Sequence, residues 1–387
     1  MANLKCSRFV FLFVTFALLL FASCGQKKTL QRVSAVAEDS TLIDIGNPLE
    51  KVIHIGTQIT NRPLLSQVVQ IEGKEKYLLS DLDHIYIFDW ENGNLEDSIS
   101  TKACGKLSNY SGFNFLDKEK ILVYAHPTNS LFIINKEGEV KEQYKLPTPN
   151  NPSEWLIQPV GHNYSRPQIL DNSALVSGTT LGPLIRIPEK PVVMAEILSL
   201  NNQEWSVACN YPDVYYEYNW GSNYLDIVST AKDDNGAVLY SLPIMEEVFK
   251  YKDNFSTCDT LYMRSRYDHS INSCNISLTF LELMPSKEKK YYVGQHSYGE
   301  IFYDEYRDVY LRIARHPLVD WEEGRPFPKP FSIIMADKNG NLISESKIIS
   351  PDGLYLNNMH VCKDGLAVAQ LNRDENNIYF SIYPIKK

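Results

Sequence analysis

The chain has 387 residues, with 38 Lys and Arg against 47 Asp and Glu, a formal charge of −9 at pH 7. A well-mixed acidic surface of this kind excludes nucleic acid as the partner, because phosphates demand basic patches. Tyrosine is abundant, at 24 residues, and no Ala- and Leu-rich helical stretch follows residue 23, a bias that favours strands.

In chain order, Lys5 and Arg8 form a short positive region before Phe9 to Phe21, thirteen uncharged residues in which Thr15 is the only polar side chain. A membrane-spanning helix needs about 20 apolar residues, so the run suits the core of a secretory signal. Ala22 and Ser23 then lead into Cys24, an arrangement that resembles a bacterial lipobox, in which the cysteine sulfur receives a diacylglycerol and the chain is cut before it. The usual pattern has Leu three places before the cysteine, where this chain has Phe21; a plain signal with an incidental Cys24 is the alternative. The expectation is a signal peptide over 1–23, a lipid anchor and polar tether over 24–40, and a folded domain over 41–387. Cleavage would leave 36 basic and 47 acidic residues, a charge of −11. Gly25 stands where aspartate would resemble an inner-membrane retention signal, and Gln26, Lys27 and Lys28 lack the acidic cluster of a surface-export signal. The outer membrane, facing the periplasm, is the expected location, with the cell surface as the alternative.

Beyond the tether, a strand–turn–strand unit recurs. It reads HIYIFDWENGNLEDSIS at 84–100, SLFIINKEGEVKEQYKL at 130–146, VMAEILSLNNQEWSVAC at 193–209 and PFSIIMADKNGNLISESKI at 330–348, with a less regular copy near 245. Apolar and polar residues alternate at period two on either side of a turn, and Gly93, Gly138 and Gly340 sit where a hairpin needs positive φ. Another apolar stretch precedes several units, at 76–81, 120–126, 174–178 and 309–314, and one more lies at 365–371. Each stretch plus its hairpin gives three strands, with room for a fourth, at the spacing of propeller blades. The chain ends in NNIYFSIYPI, which has no hairpin partner after it, and KVIHIG near the start has none before it. Pairing of these two ends would close a ring and remove its exposed edges. An all-β propeller is expected, with six blades fitting best, seven as the alternative, and a β-sandwich with a second β domain as the competing architecture.

Lipobox, tether and degenerate repeats together resemble the six-bladed, TolB-like propeller lipoproteins of gut Bacteroidetes, many of them domains of unknown function. The resemblance spans residues 24 to 387 and implies a cell-envelope propeller; it transfers no residue's role.

Five cysteines follow the anchor: Cys104, Cys209, Cys258, Cys274 and Cys362. The odd number leaves at least one thiol free; Cys258 and Cys274 either pair or are small buried hydrophobes. No CxxC pair supports a zinc or redox site. Neither GxSxG, HExxH nor a phosphate-binding loop occurs, so no cofactor or metal is expected. Candidate binding residues come instead from composition. GHNYSRP at 161–167 alternates His162, Tyr164 and Arg166 on one face if extended, ahead of an inner strand where propellers place channel-mouth loops. RSRYDH at 264–269 adds Arg266 and His269. IFYDEYRDVYLRIARHPLVDW at 301–321 crowds Tyr303, Arg307, Arg312 and His316, among others, and alternation places Tyr310 and Arg312 on one face, toward the channel, a partner or a structural acid. Arginine suits carboxylate, sulfate or phosphate. The tyrosine-rich 210–224 segment suits either sugar stacking or packing on the next blade. These residues favour a binding or scaffold protein for a peptide, glycan or envelope protein. The alternative is a lyase or hydrolase acting on polysaccharide or peptide at the channel mouth.

Overall fold

Every anticipated hairpin forms the outer half of a four-stranded antiparallel unit, and every apolar stretch ahead of one forms its second strand. A computed structural model describes residues 31–33, 41–43, 45–57, 59–61, 63, 65–108, 111–146, 158–159, 163–179, 192–267, 270–318, 320–323, 328–371 and 374–386. Cys24, His162 and His269 lie outside the described residues.

Six blades result. Their first strands, which line the channel, are Leu65–Ile71, Gly112–Asp117, Gln168–Leu170, Ser229–Lys232, Ser297–Asp304 and Leu354–Cys362. The first strands of blades I, II and VI abut, as do those of blades IV, V and VI. Second strands, such as Lys74–Ser80 and Val309–Arg315, are sandwiched between neighbouring blades and are buried along most of their length. The core is accordingly divided into wedges between blades: Phe113 and Ile121 pack with Leu78 and Ile99 between blades I and II, and Leu311 packs with Leu366 and Val368 between blades V and VI.

The two chain ends close the ring. Leu49–His54 pairs antiparallel with Asn377–Pro384, with Val52 opposite Tyr379, and supplies the outer strand of blade VI. Ile53, Tyr77, Phe88, Phe380 and Ala367 then bury the seam between blades VI and I. Thr41–Ile43 adds a fifth, parallel strand to blade V.

The turn glycines do more than permit positive φ. Gly93 (φ +76°) lies against the outer strand of blade VI, where an added Cβ would come within 2.3 Å of the Val52 carbonyl oxygen. Gly138 (φ +78°) repeats this 2.3 Å approach against Ser100 of blade I. These two hairpin turns therefore seat directly on the preceding blade, a close backbone approach that needs glycine.

Helices are confined to connections: α1 (Val214–Glu217) between blades III and IV, and α2 (Leu278–Leu283) and α3 (Pro285–Val293) between blades IV and V. The tyrosine-rich 210–224 segment packs largely inward around α1, with Tyr211, Tyr215 and Trp220 buried and Tyr224 left partly exposed. Cys258 and Cys274 do not pair; both are free thiols, Cys258 exposed and Cys274 buried.

Candidate functional site at the channel mouth

The segment before the first strand of blade III crosses the channel. Asn163 accepts from the Ser66 amide of blade I (2.6 Å) and donates through Nδ2 to the Asn357 carbonyl of blade VI (2.6 Å). The Tyr164 carbonyl accepts from the Thr230 amide of blade IV (2.7 Å). Arg166 donates through Nη2 to the Ser66 carbonyl (2.5 Å), and Asn114 of blade II donates to the Pro167 carbonyl (2.9 Å). Residues 163–167 thus tie four blades together and divide the channel.

On one side lies a polar cavity of about 300 Å³ whose lining includes Gln67, Asn114, Gln168, Thr230, Tyr303 and His360, one residue from each blade's first strand. Burial, reinforced by the nearby Arg166, holds the His360 imidazole well below its ordinary pKa, and burial draws Arg166 down to about 10. On the other side, at the N-terminal ends of the first strands, a cavity of about 560 Å³ opens at the mouth. Tyr164 lines both and is the partition.

Five tyrosines, Tyr164, Tyr224, Tyr292, Tyr298 and Tyr355, are among the described residues lining the mouth cavity, with Ile227, Leu354, Leu356 and Leu371 between them. Tyr224 and Tyr292 rings lie 4.9 Å apart. Among them, Arg315 Nη2 donates to Glu300 Oε1 at 2.5 Å, both side chains largely buried. A strand irregularity between Tyr298 and Ile301 makes room for this pair; a Cβ on Gly299 would sit 2.8 Å from Arg315 Nε. Among the described residues, Glu300 is the only acceptor of an Arg315 side-chain hydrogen bond, and Glu300 Oε2 has no partner. Lys329 is fully buried beside them, its Nζ donating to the Tyr292 and Gln295 carbonyls and to Ser297 Oγ. Burial, with Arg315 adding repulsion, lowers its pKa well below the ordinary lysine value.

Of the residues singled out from sequence, Tyr164 reaches the mouth cavity, while Tyr164, Arg166 and Tyr303 line the inner one. Arg312 does not face the channel. The second strand of blade V is covered on both sides, so Val309, Leu311 and Ile313 pack toward blade VI while Arg312 turns into blade IV. There it donates to Ser241 Oγ and to the carbonyls of Leu242, Met245, Glu246 and Met263, with its guanidinium 3.9 Å from the Tyr298 ring centroid. Arg307 is likewise engaged internally, by Asp304 and by the Lys363 and Ile385 carbonyls. His316 bonds Ser332 Oγ (2.8 Å), and Ser332 donates to Glu345, which also accepts from the Arg266 amide, so these two candidates meet in one buried network away from the mouth. Glu300, Lys329 and Tyr292 were missed. Arg315 lay inside the crowded 301–321 segment, and its place at the mouth-facing end of a second strand was the signal.

Six four-stranded blades, closed by the two chain ends around a partitioned channel, define a six-bladed β-propeller with a one-ended mouth cavity. The chain belongs to the DUF4221 family, a domain of unknown function, whose model matches residues 48–347. A crystal structure of a DUF4221 member from Bacteroides vulgatus aligns with a TM-score of 0.67 at 19% identity, covering 94% of this chain and 99% of that one. More distant propellers include a streptogramin B lyase (TM-score 0.41, 9% identity, 86% and 97% covered) and a regucalcin from Agrobacterium tumefaciens (0.43, 9%, 90% and 99%). At these identities the likeness shows the fold alone. No curated protein matches the sequence.

Proposed function

We propose that this is a lipid-anchored protein of the outer membrane whose propeller binds a carboxylate-bearing peptide or glycan in the mouth cavity. The anchor rests on the apolar run, the small residues and Cys24. The binding reading is carried by one observation: Arg315, with Glu300 engaging Nη2 alone, lies within a cavity walled by tyrosines. A guanidinium with donors to spare suits a planar oxyanion, and tyrosine faces suit sugar rings or peptide side chains at low entropy cost. The volume falls within the range of small-ligand sites, roughly 300–1,000 Å³. Glycoside hydrolysis by the usual mechanism needs two facing carboxylates. Among the described lining residues the carboxylate is Glu300, and Arg315 engages it.

Thermal-shift measurements against uronate oligosaccharides and peptides with free C-termini test this. A ligand should raise Tm with its concentration, and Arg315→Gln should weaken it at least tenfold. Equal binding by that variant would refute the site, and accumulation of cleaved product would replace binding with catalysis.

A further inference from the structure

The short strand Gln31–Val33 pairs antiparallel with Ser270–Asn272, Gln31 opposite Asn272. This brings the tether to the mouth face, beside the residues that lead into α2. Six residues lie between Cys24 and Gln31, so the two are at most about 25 Å apart along an extended chain. Beyond that paired strand, α2 and the start of α3 form an elbow that buries Leu281 but turns three other apolar side chains outward. Phe280, Leu283 and Met284, at helical i, i+3 and i+4 spacing, are 45%, 78% and 37% exposed. Next to them Lys287 and Lys290 are exposed on α3 and Lys289 is half-buried, whereas Glu288 turns back to Ser222 and the Asn223 amide. Glu282 is the other acid of the two helices, and Arg32 lies on the tether's paired strand. In a chain of net charge −9, this is a local basic surface around an apolar tip.

We propose that the α2–α3 elbow is a membrane-docking surface, with Phe280, Leu283 and Met284 at the acyl boundary and the lysines on anionic lipid headgroups. Apolar tips flanked by lysine are the composition of interfacial helices, and each basic residue near an anionic surface adds attraction that salt screens. The occupant follows from the tether, because a lipid on Cys24 would hold this face against its own bilayer. The proposal therefore rests on the anchor for its orientation. Lipid chains alone would leave the propeller free to swivel; the elbow fixes it. Tyr292 of α3 lines the mouth cavity, so docking sets that cavity beside the membrane.

The test uses the chain from Cys24 onward, made without lipid, sedimented with vesicles of phosphatidylethanolamine and phosphatidylglycerol. Wild type should pellet with these vesicles, less so at high salt, and not with phosphatidylcholine alone. The Phe280→Ser/Leu283→Ser variant should partition at least tenfold less at unchanged Tm, and Lys289→Glu/Lys290→Glu should also weaken binding. Wild type left in the supernatant, as a protein partner for the patch would leave it, overturns the proposal, as does unchanged partitioning of the apolar variant. Acyl labelling of Cys24 in cells separates the two ideas. Vesicle binding without label keeps the docking surface and removes the anchor; label without vesicle binding does the reverse.

Discussion

Replacing Arg312 with methionine should destabilise the propeller by about 4 kcal/mol. The side chain is fully buried and donates to four carbonyls and one hydroxyl. Methionine fills much of the same volume but offers no donor. The Leu242 and Glu246 carbonyls keep bonds from the Met245 and Met263 amides and lose about 0.5 kcal/mol each; the other three, at about 2 kcal/mol each, bring the loss to about 7 kcal/mol. Against this stands relief of the buried cation, whose pKa burial lowers to about 10. That lowering is worth about 3 kcal/mol. The acceptors outweigh the charge. For a domain of this size about 4 kcal/mol lowers Tm by about 5–6 °C, readable by circular dichroism. Arg312→Lys, with three donors, should fall between. A Tm for Arg312→Met within about 2 °C of wild type would refute the reasoning, because the five acceptors would then need no guanidinium.

Glu196, buried in the third strand of blade III, has its pKa raised by burial from 4.5 to about 7. The folded chain holds a proton that the unfolded chain releases, so stability falls as pH rises from about 4.5 to 7, by about 3 kcal/mol in total. Glu196→Gln should remove this loss, stabilising the protein at pH 8 in denaturant melts while changing little near pH 4; equal effects at both would exclude titration as the cause. Asp89 behaves oppositely. Lys76 at 2.7 Å, helped by the Asn92 amide, lowers its pKa to about 2. Its contribution is present above about pH 3.8 and fades as pH falls through 2, so Asp89→Asn should cost about 2 kcal/mol at pH 7 and almost nothing near pH 2. Gly138→Ala forces a Cβ onto the Ser100 carbonyl oxygen at positive φ and should cost more than about 2 kcal/mol by the same melts; a neutral effect would mean that the turn can leave blade I.

The blades were legible because period-two alternation and turn glycines are local properties. Strands such as His84–Asp89 bury Ile85 and Ile87 and leave His84 and Tyr86 part-exposed, so the hairpin announced its register. The closing pair, Leu49–His54 with Asn377–Pro384, was legible from the opposite signal, two strands without local partners. Contacts across blades were not. Sequence alone leaves Arg312 open between channel, partner and structural acid, because alternation separates the two faces of a strand but does not say that both are covered. Arg315, three residues on, reaches the cavity since it ends the strand at the mouth, where the covering blades stop. Glu300 and Lys329 come from positions 15 and 14 residues away from it, and only the fold brings them together.

The partition matters to how the mouth can work. In an open channel a ligand could enter from either end, and the inner polar cavity would be continuous with the mouth. Here residues 163–167 are bonded to blades I, II, IV and VI at once, so removing them would break contacts to four of the six sheets. Such a segment is more costly to displace than a loop held by its own blade. Tyr164, which forms the partition, is itself largely desolvated, and burial raises its hydroxyl pKa, so it remains a neutral wall. A ligand at the mouth therefore meets a fixed tyrosine floor, with Arg315 and Glu300 contributed by blade V. Shortening Tyr164 to alanine would join the two cavities while leaving the backbone bonds of the segment in place. It would separate a ligand that needs the floor from one held by Arg315 alone.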